Sequence, residues 1–172
     1  MSYPYETWTV CKPKVTGSKG VVVAQEIEAA SIGARIIESG GNAIDGAIAT
    51  AFALSVTEPW MSGLGGGGFM MLYIANENRV RVIDFGMISP KMTDLADYPL
   101  SGDIGADLFG WPAVAGDTNL HGAKSVAVPG SVAGYGLAVE QFATKNWSEL
   151  IEPALDLAKR GHRKTWWTTL NV

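Results

Sequence analysis

The stretch Gly40-Gly41-Asn42-Ala43-Ile44-Asp45-Gly46-Ala47-Ile48-Ala49-Thr50-Ala51-Phe52-Ala53-Leu54-Ser55-Val56 decides how the chain is layered. Two glycines supply the left-handed conformation that ends a helix. Asn42 then stands as the N-cap of the next helix, with Asp45 three residues on, near the positive end of the dipole. Residues 43–56 carry Ala, Ile, Phe and Leu on every side, and a helix apolar all round must be buried on all sides. Ala47, Ala49, Ala51 and Ala53 let neighbours approach closely, and Pro59 prevents the helix from continuing.

Working outward, Ile27, Ala30, Ala34 and Ile37 fall at helical spacing over residues 25–39, with Glu28, Arg35 and Glu38 on the other face. Val21-Val22-Val23-Ala24 is β-branched and predicts a strand. Residues 1–19, polar with Pro4 and Pro13, read as an N-terminal arm, which leaves 20–172 as the folded portion. Downstream, Ser62-Gly63-Leu64-Gly65-Gly66-Gly67-Gly68 leads into Phe69-Met70-Met71-Leu72-Tyr73-Ile74. Asn76-Glu77-Asn78 is a turn, and Val80-Arg81-Val82-Ile83-Asp84-Phe85 is a second strand, so the pair predicts an antiparallel hairpin. Two helices followed by a hairpin predict an α+β fold, with helices layered on an antiparallel sheet.

Residues 92–122 are the least regular part, and a loop this long is functional or packed over another surface. Residues 125–130 read as a short strand and 132–142 as a helix. Ser148 reads as the cap of a helix over 149–160, with Pro153 near its first turn and Lys159-Arg160-Gly161 closing it. The adjacent Trp166 and Trp167 would be unusual at an exposed end, so the polypeptide is expected to continue, or to meet a partner, beyond Val172.

Composition narrows the classes further. Of 172 residues, 47% are hydrophobic and 17% charged, which excludes a solvated coil. The net charge is -4 and no block of like charge occurs, which argues against a nucleic-acid-binding surface. The single cysteine, Cys11, leaves no internal disulfide. No apolar run is long enough for a membrane span. Met1-Ser2-Tyr3-Pro4-Tyr5-Glu6 shows no basic region followed by an apolar run, so no signal peptide is visible and the cytoplasm is the favoured location.

The glycine run invites a phosphate-loop reading, because backbone N–H groups can cradle an anion. The order is wrong: such loops lead into a helix, with Gly-Lys-Ser/Thr or the dinucleotide fingerprint, whereas Gly68 leads into a strand. The plainer reading is that these glycines let a strand start in a tight space against another backbone. With two histidines, one cysteine and no zinc-like spacing, neither a metal nor a cofactor is predicted. Asp84, at a strand end, either accepts from a turn amide or meets a substrate. His121 lies in a loop and is a candidate catalytic group; His162, just past a helix end, is better read as satisfying terminal carbonyls. Asp45 and Glu58 read as caps. On chemistry alone the chain displays no complete active site.

Four ordered segments carry a resemblance. Ser39-Gly40-Gly41-Asn42-Ala43-Ile44-Asp45-Gly46-Ala47 resembles the GGNAVDAA stretch of the gamma-glutamyltranspeptidase family. Residues 58–69 resemble its EP-x-x-SGIGGGGF motif. Residues 125–134 resemble its SVAVPG-x-x-x-G segment, and 147–161 its W-x-x-L-x-x-P-A-x-x-L-A-x-x-G helix. The chain is similar to the N-terminal part of that family's large subunit.

The resemblance implies an N-terminal nucleophile hydrolase with an αββα sandwich, made as a precursor that cleaves itself. It implies a partner, a small-subunit chain whose first residue is the threonine nucleophile, and a small-molecule amide as substrate. It implies no cofactor, nucleic acid or membrane, and leaves room for homo-oligomers of processed heterodimers. No threonine of this chain, Thr168 and Thr169 included, matches the nucleophile's position, so the catalytic groups are expected outside it.

One position departs from the pattern. Family members that take glutamyl groups carry an arginine-glutamate pair after the second hairpin strand, in ID-x-RE-x-AP, and the arginine grips the substrate's α-carboxylate. Here Gly86 and Met87 stand in those places, which implies a smaller, more apolar pocket wall; Lys124 and Arg81 are the candidate substitutes for the lost cation. Residues 109–122 resemble a branch of the family that includes hydrolases of other small amides, such as oxamate or acylated antibiotics. Together these imply Asp84, Gly86, Met87, Asn119 and His121 as substrate-binding positions. The rival readings are a non-catalytic or truncated family member acting only as an assembly partner, and an anion-binding module built on residues 65–68.

Overall fold

The computed structural model describes residues 14–105 and 108–171. The N-terminal arm expected over 1–19 therefore lies largely outside the described residues, and 14–19 are exposed without regular structure.

Helix α1 spans Ile27–Glu38 and α2 spans Ala43–Thr57, with Gly40 at φ 95° between them. The cap at Asn42 is reciprocal: its side chain accepts from the Ile44 and Asp45 N–H groups, and Asp45 Oδ2 accepts from the Asn42 N–H at 2.7 Å. The short α3, Pro59–Ser62, follows with Pro59 at its first position, where a missing N–H costs nothing. The two helices approach most closely at glycines. A Cβ on Gly33 would sit 2.0 Å from Thr50 Oγ1 and 2.7 Å from the Gly46 carbonyl, and one on Gly46 would sit 2.9 Å from the Ile37 side chain.

Strands β1 (Phe69–Ile74) and β2 (Arg79–Asp84) form the expected antiparallel hairpin, with Phe69 opposite Asp84 and Ile74 opposite Arg79. A second hairpin, β3 (Leu100–Ile104) with β4 (Pro112–Val114), occupies part of the region expected to be irregular. Its register shifts between Leu100 and Ile104, and that broken pairing hides it from a reading based on alternation.

Helices α4 (Ser131–Phe142) and α5 (Trp147–Arg160) complete the core, and α6 covers Trp166–Asn171. Phe52 of α2 sits at the centre, edge-on to Tyr135 at 5.4 Å and to Trp147 at 5.2 Å. Ile32, Ile48, Ala49, Leu150 and Leu157 pack around it, and Leu72 and Ile83 bring in the inner face of the hairpin.

Four expectations are corrected. Residues 21–24 form no strand, because no backbone among the described residues pairs with them; they lie along α1 and α2 instead. Residues 125–130 make one isolated bridge, Val128 with Ile88, rather than a strand. Asn146, not Ser148, caps α5, through a capping box with Glu149, so Pro153 lies beyond the first turn. Finally, α2 is not enclosed on every side: Ala43 and Ala47 are exposed and, with residues 21–24, Ala51 and Leu54, border an open apolar groove of about 310 Å³. The fold class is α+β, as the segment order predicts.

Candidate functional site

The glycine loop shapes the corner that follows β2. Beyond the hairpin register, the Phe85 N–H donates to the Gly68 carbonyl at 3.0 Å, and the Gly68 N–H donates back at 3.3 Å. The Gly66 carbonyl accepts from the Gly130 and Ser131 N–H groups at 2.9 and 3.1 Å, joining the loop to the start of α4. A Cβ on Gly67 would lie 2.7 Å from the Phe85 carbonyl oxygen and 2.8 Å from the Met87 nitrogen, and a Cβ on Gly130 would lie 2.1 Å from that same oxygen. No side chain fits at Gly67 or Gly130, so the tight-space reading is realised at Gly67, while Gly65 stands in open space. Phe85 itself is held edge-on to Tyr135 at 5.6 Å, against Gly134, whose Cβ would come within 2.3 Å of its ring. Burial pushes the Tyr135 phenol above its ordinary value, with a hydrogen bond to Ser131 acting the other way.

Two residues past Asp84 the chain turns: Asp84 Oδ1 accepts from the Gly86 N–H at 3.0 Å. The turn-amide role is thus taken by one oxygen of this exposed carboxylate. The chain then enters a cleft of about 350 Å³ whose walls include Met87, Ser89, Thr93, Tyr98, Asn119 and Lys124. That volume falls within the range of small-molecule pockets, roughly 300–1,000 Å³. The far wall is braced by polar contacts. Lys124 Nζ pairs with Asp97 Oδ1 at 2.5 Å, the Tyr98 hydroxyl donates to the Lys124 carbonyl at 2.8 Å, and the Thr118 hydroxyl donates to the Asp97 carbonyl at 3.2 Å.

Of the positions named from sequence, Met87 and Asn119 meet in this cleft, while Asp84 and Gly86 form the turn that leads into it. His121 is exposed and outside the cleft lining; its backbone N–H donates to the Asp117 carbonyl at 3.0 Å. The two candidate replacement cations separate. Arg81 is engaged by Glu77 at 2.6 Å, opposite Leu72 in the hairpin, whereas Lys124 lines the cleft. Ser89, Thr93 and Tyr98 carry no motif and could not be picked out from sequence. Among the described residues no group of three His, Cys, Asp or Glu side chains gathers as a metal site, and no helix is long and apolar enough to cross a membrane.

The sequence model described as gamma-glutamyltranspeptidase matches residues 29–168. This chain belongs to the gamma-glutamyltranspeptidase family. Among curated relatives, an acylase ACY 1 proenzyme of Pseudomonas sp. strain V22 is 39% identical over 158 residues, covering 90% of this chain and 27% of its own length. A glutathione hydrolase proenzyme of Pseudomonas aeruginosa is 38% identical over 144 residues, covering 84% of this chain and 24% of its own length. In structure, a gamma-glutamyltranspeptidase from Pseudomonas nitroreducens, solved in complex with L-DON, superposes with a TM-score of 0.77. It is 35% identical, over 91% of this chain and 43% of that one. The chain thus spans about a quarter of the length of the curated relatives it matches.

Proposed function

We propose that the protein carrying this chain is an amidohydrolase or acyltransferase that works through an N-terminal threonine supplied outside residues 1–172. In this reading the chain contributes helices, one sheet layer and one wall of the acyl pocket. The single observation that carries it is the bare face of the hairpin in a member of this family. Leu72 and Ile83 face the helices, while Phe69, Met71, Tyr73, Val80 and Val82 are each more than half exposed on the hairpin. A two-stranded sheet with an apolar outer face is half of a sandwich, and such a face calls for a second layer.

The chemistry follows from the nucleophile. The threonine's α-amino group takes the hydroxyl proton as Oγ adds to the amide carbonyl carbon. The carbon–nitrogen bond breaks, the amine leaves with a proton, and an ester joins the acyl group to the threonine. Water then releases the acid, or a second amine takes the acyl group.

In this reading Met87 and Asn119 form the pocket wall from this chain, reached through the Asp84–Gly86 turn, with Lys124 as the nearby cation and His121 outside the lining. A guanidinium at position 86 would hold a carboxylate by charge-assisted, two-point hydrogen bonds; glycine offers none. The exchange favours a neutral or differently charged acyl group over a glutamyl one. The relatives' names span both acylase and glutathione hydrolase, so the family accommodates more than one acyl group.

The test is a comparison of kcat/KM for γ-glutamyl anilide and neutral acyl anilides, with the full-length protein. Turnover of neutral acyl anilides in excess of the γ-glutamyl one supports the reading. Preference for the γ-glutamyl substrate overturns the pocket assignment, and no turnover of any amide overturns the activity.

A further inference from the structure

A second cavity, of about 490 Å³, shares no lining residue with the Met87–Asn119 cleft. It lies between the start of α1, the corner joining α2 to α3, and α6, and its walls include Glu26, Glu58, Thr165, Trp166 and Trp167. Both carboxylates are buried, Glu26 to 6% exposure and Glu58 to 3%. A carboxylate withdrawn from water needs a partner, or it takes up a proton.

Glu26 has its partner. It caps α1, with Oε2 accepting from the Ala29 N–H at 3.0 Å, so its charge is set against the positive end of that helix. Glu58 has none among the described residues. Its backbone N–H donates to the Leu54 carbonyl, but its side chain makes no capping hydrogen bond to α3 and no ion pair. It stands at the C-cap of α2, where the terminal carbonyls add negative potential. Burial, and then the neighbouring Glu26, push its carboxyl above the ordinary carboxylate value.

The remaining walls are Gln25, Ile27, Thr165 and two indole rings. Trp166 and Trp167 meet edge to face with ring centres 5.7 Å apart. Among the described residues no lining residue is basic: Arg163 and Lys164 precede Thr165 in sequence but neither lines the cavity nor pairs with either carboxylate. An unpartnered carboxylate in a cavity lined by two indole rings suits a positively charged nitrogen. A hard metal ion would find too few oxygens here, since calcium takes about six to eight.

We propose that this cavity binds a small organic cation, a protonated primary amine on a short apolar stem. Its ammonium group pairs with Glu58 and its stem packs against Trp166 and Trp167. The inference does not depend on the proposed amidase activity, and its test measures binding rather than turnover.

The test is calorimetric titration of the full-length protein with n-butylammonium chloride, and with butan-1-ol as the neutral probe of the same length. The expected result is saturable binding of the ammonium and none of the alcohol. Glu58→Gln should weaken binding by about tenfold or more, the loss of one charge-assisted contact. Trp167→Leu, which keeps both carboxylates, should weaken it about threefold through the lost ring face. Glu58→Gln should melt no lower than the parent, because it removes a buried charge. Absence of saturable binding, equal binding of the alcohol, or unchanged affinity in Glu58→Gln overturns the proposal. If the parent ignores butylammonium and Glu58→Gln melts lower, the cation in the cavity is a lysine or arginine of the same polypeptide, which also overturns it.

Discussion

The Thr144 hydroxyl donates to Asp45 Oδ2 at 2.5 Å, across 99 residues of sequence, tying the first turn of α2 to the link between α4 and α5. The same carboxylate, fully buried, also accepts from the backbone N–H groups of Asn42, Thr144 and Lys145. Four donors converge on one side chain, and each hydrogen bond to a charged group contributes about 1.5–3 kcal/mol. Asp45→Asn puts an NH₂ among those donors, and should destabilise the protein by about 3 kcal/mol or more. Thr144→Val removes one bond and should cost about 1.5–3 kcal/mol. Denaturant unfolding checks both; a loss under about 1 kcal/mol for Asp45→Asn would refute the network's role.

Neighbouring glycines should respond in opposite ways. A methyl group on Gly130 would meet the Phe85 carbonyl oxygen at 2.1 Å, whereas one on Gly65 meets nothing within 4 Å. Gly130→Ala should therefore cost about 1–3 kcal/mol or more and disturb the corner before the cleft. Gly65→Ala should stay within about 0.5 kcal/mol of the parent, as surface changes do. Equal effects in thermal melts would mean that the loop is not braced as described.

Specificity should shift at Gly86. The nearest atom to a Cβ built there is Asp84 Oδ1 at 3.2 Å, so a side chain has room if that carboxylate gives slightly. Gly86→Arg should raise the ratio of γ-glutamyl to neutral-acyl kcat/KM by about tenfold or more, the worth of one charge-assisted contact. An unchanged ratio would show that position 86 does not face the acyl group.

Glu58 should leave a signature in the pH dependence of stability. Its carboxyl is raised above 4.5 in the folded state, by burial and then by Glu26. The folded protein therefore holds this proton more tightly than the unfolded chain does. Its contribution is greatest at low pH and is lost as pH rises from about the unfolded value through the raised folded one. Unfolding free energy measured across that window should fall less steeply with rising pH in Glu58→Gln than in the parent. Superimposable curves would contradict the assignment.

Local signals made much of this fold legible in the sequence. Asn42 announces its cap, Gly40 its left-handed turn, and the two apolar runs around Asn76-Glu77-Asn78 their hairpin; the reciprocal bond from Asp45 that closes the capping box is seen only in the structure. What failed depends on partners distant in sequence. Residues 21–24 have strand composition but no strand partner among the described residues, and Val128 makes a single bridge, to Ile88. The alanines of α2 suggest close packing, yet the tightest crossing is made by Gly33, Gly46 and Thr50. Asn146 outcompetes Ser148 as a cap because Glu149 stands three residues after it and completes the reciprocal pair. In the candidate cleft, departure from a motif marks Met87, but Tyr98 reaches the cleft, and Asp97 braces its Lys124, through loop geometry that no spacing encodes.

As proposed above, this chain is one part of a threonine-led, self-processed enzyme. Intact-mass analysis and N-terminal sequencing of the full-length protein, before and after exposure to an amide substrate, test it most directly. Two chains are expected, the second beginning with threonine and gaining the mass of the acyl group. A single uncleaved chain that gains no mass from any amide would contradict it.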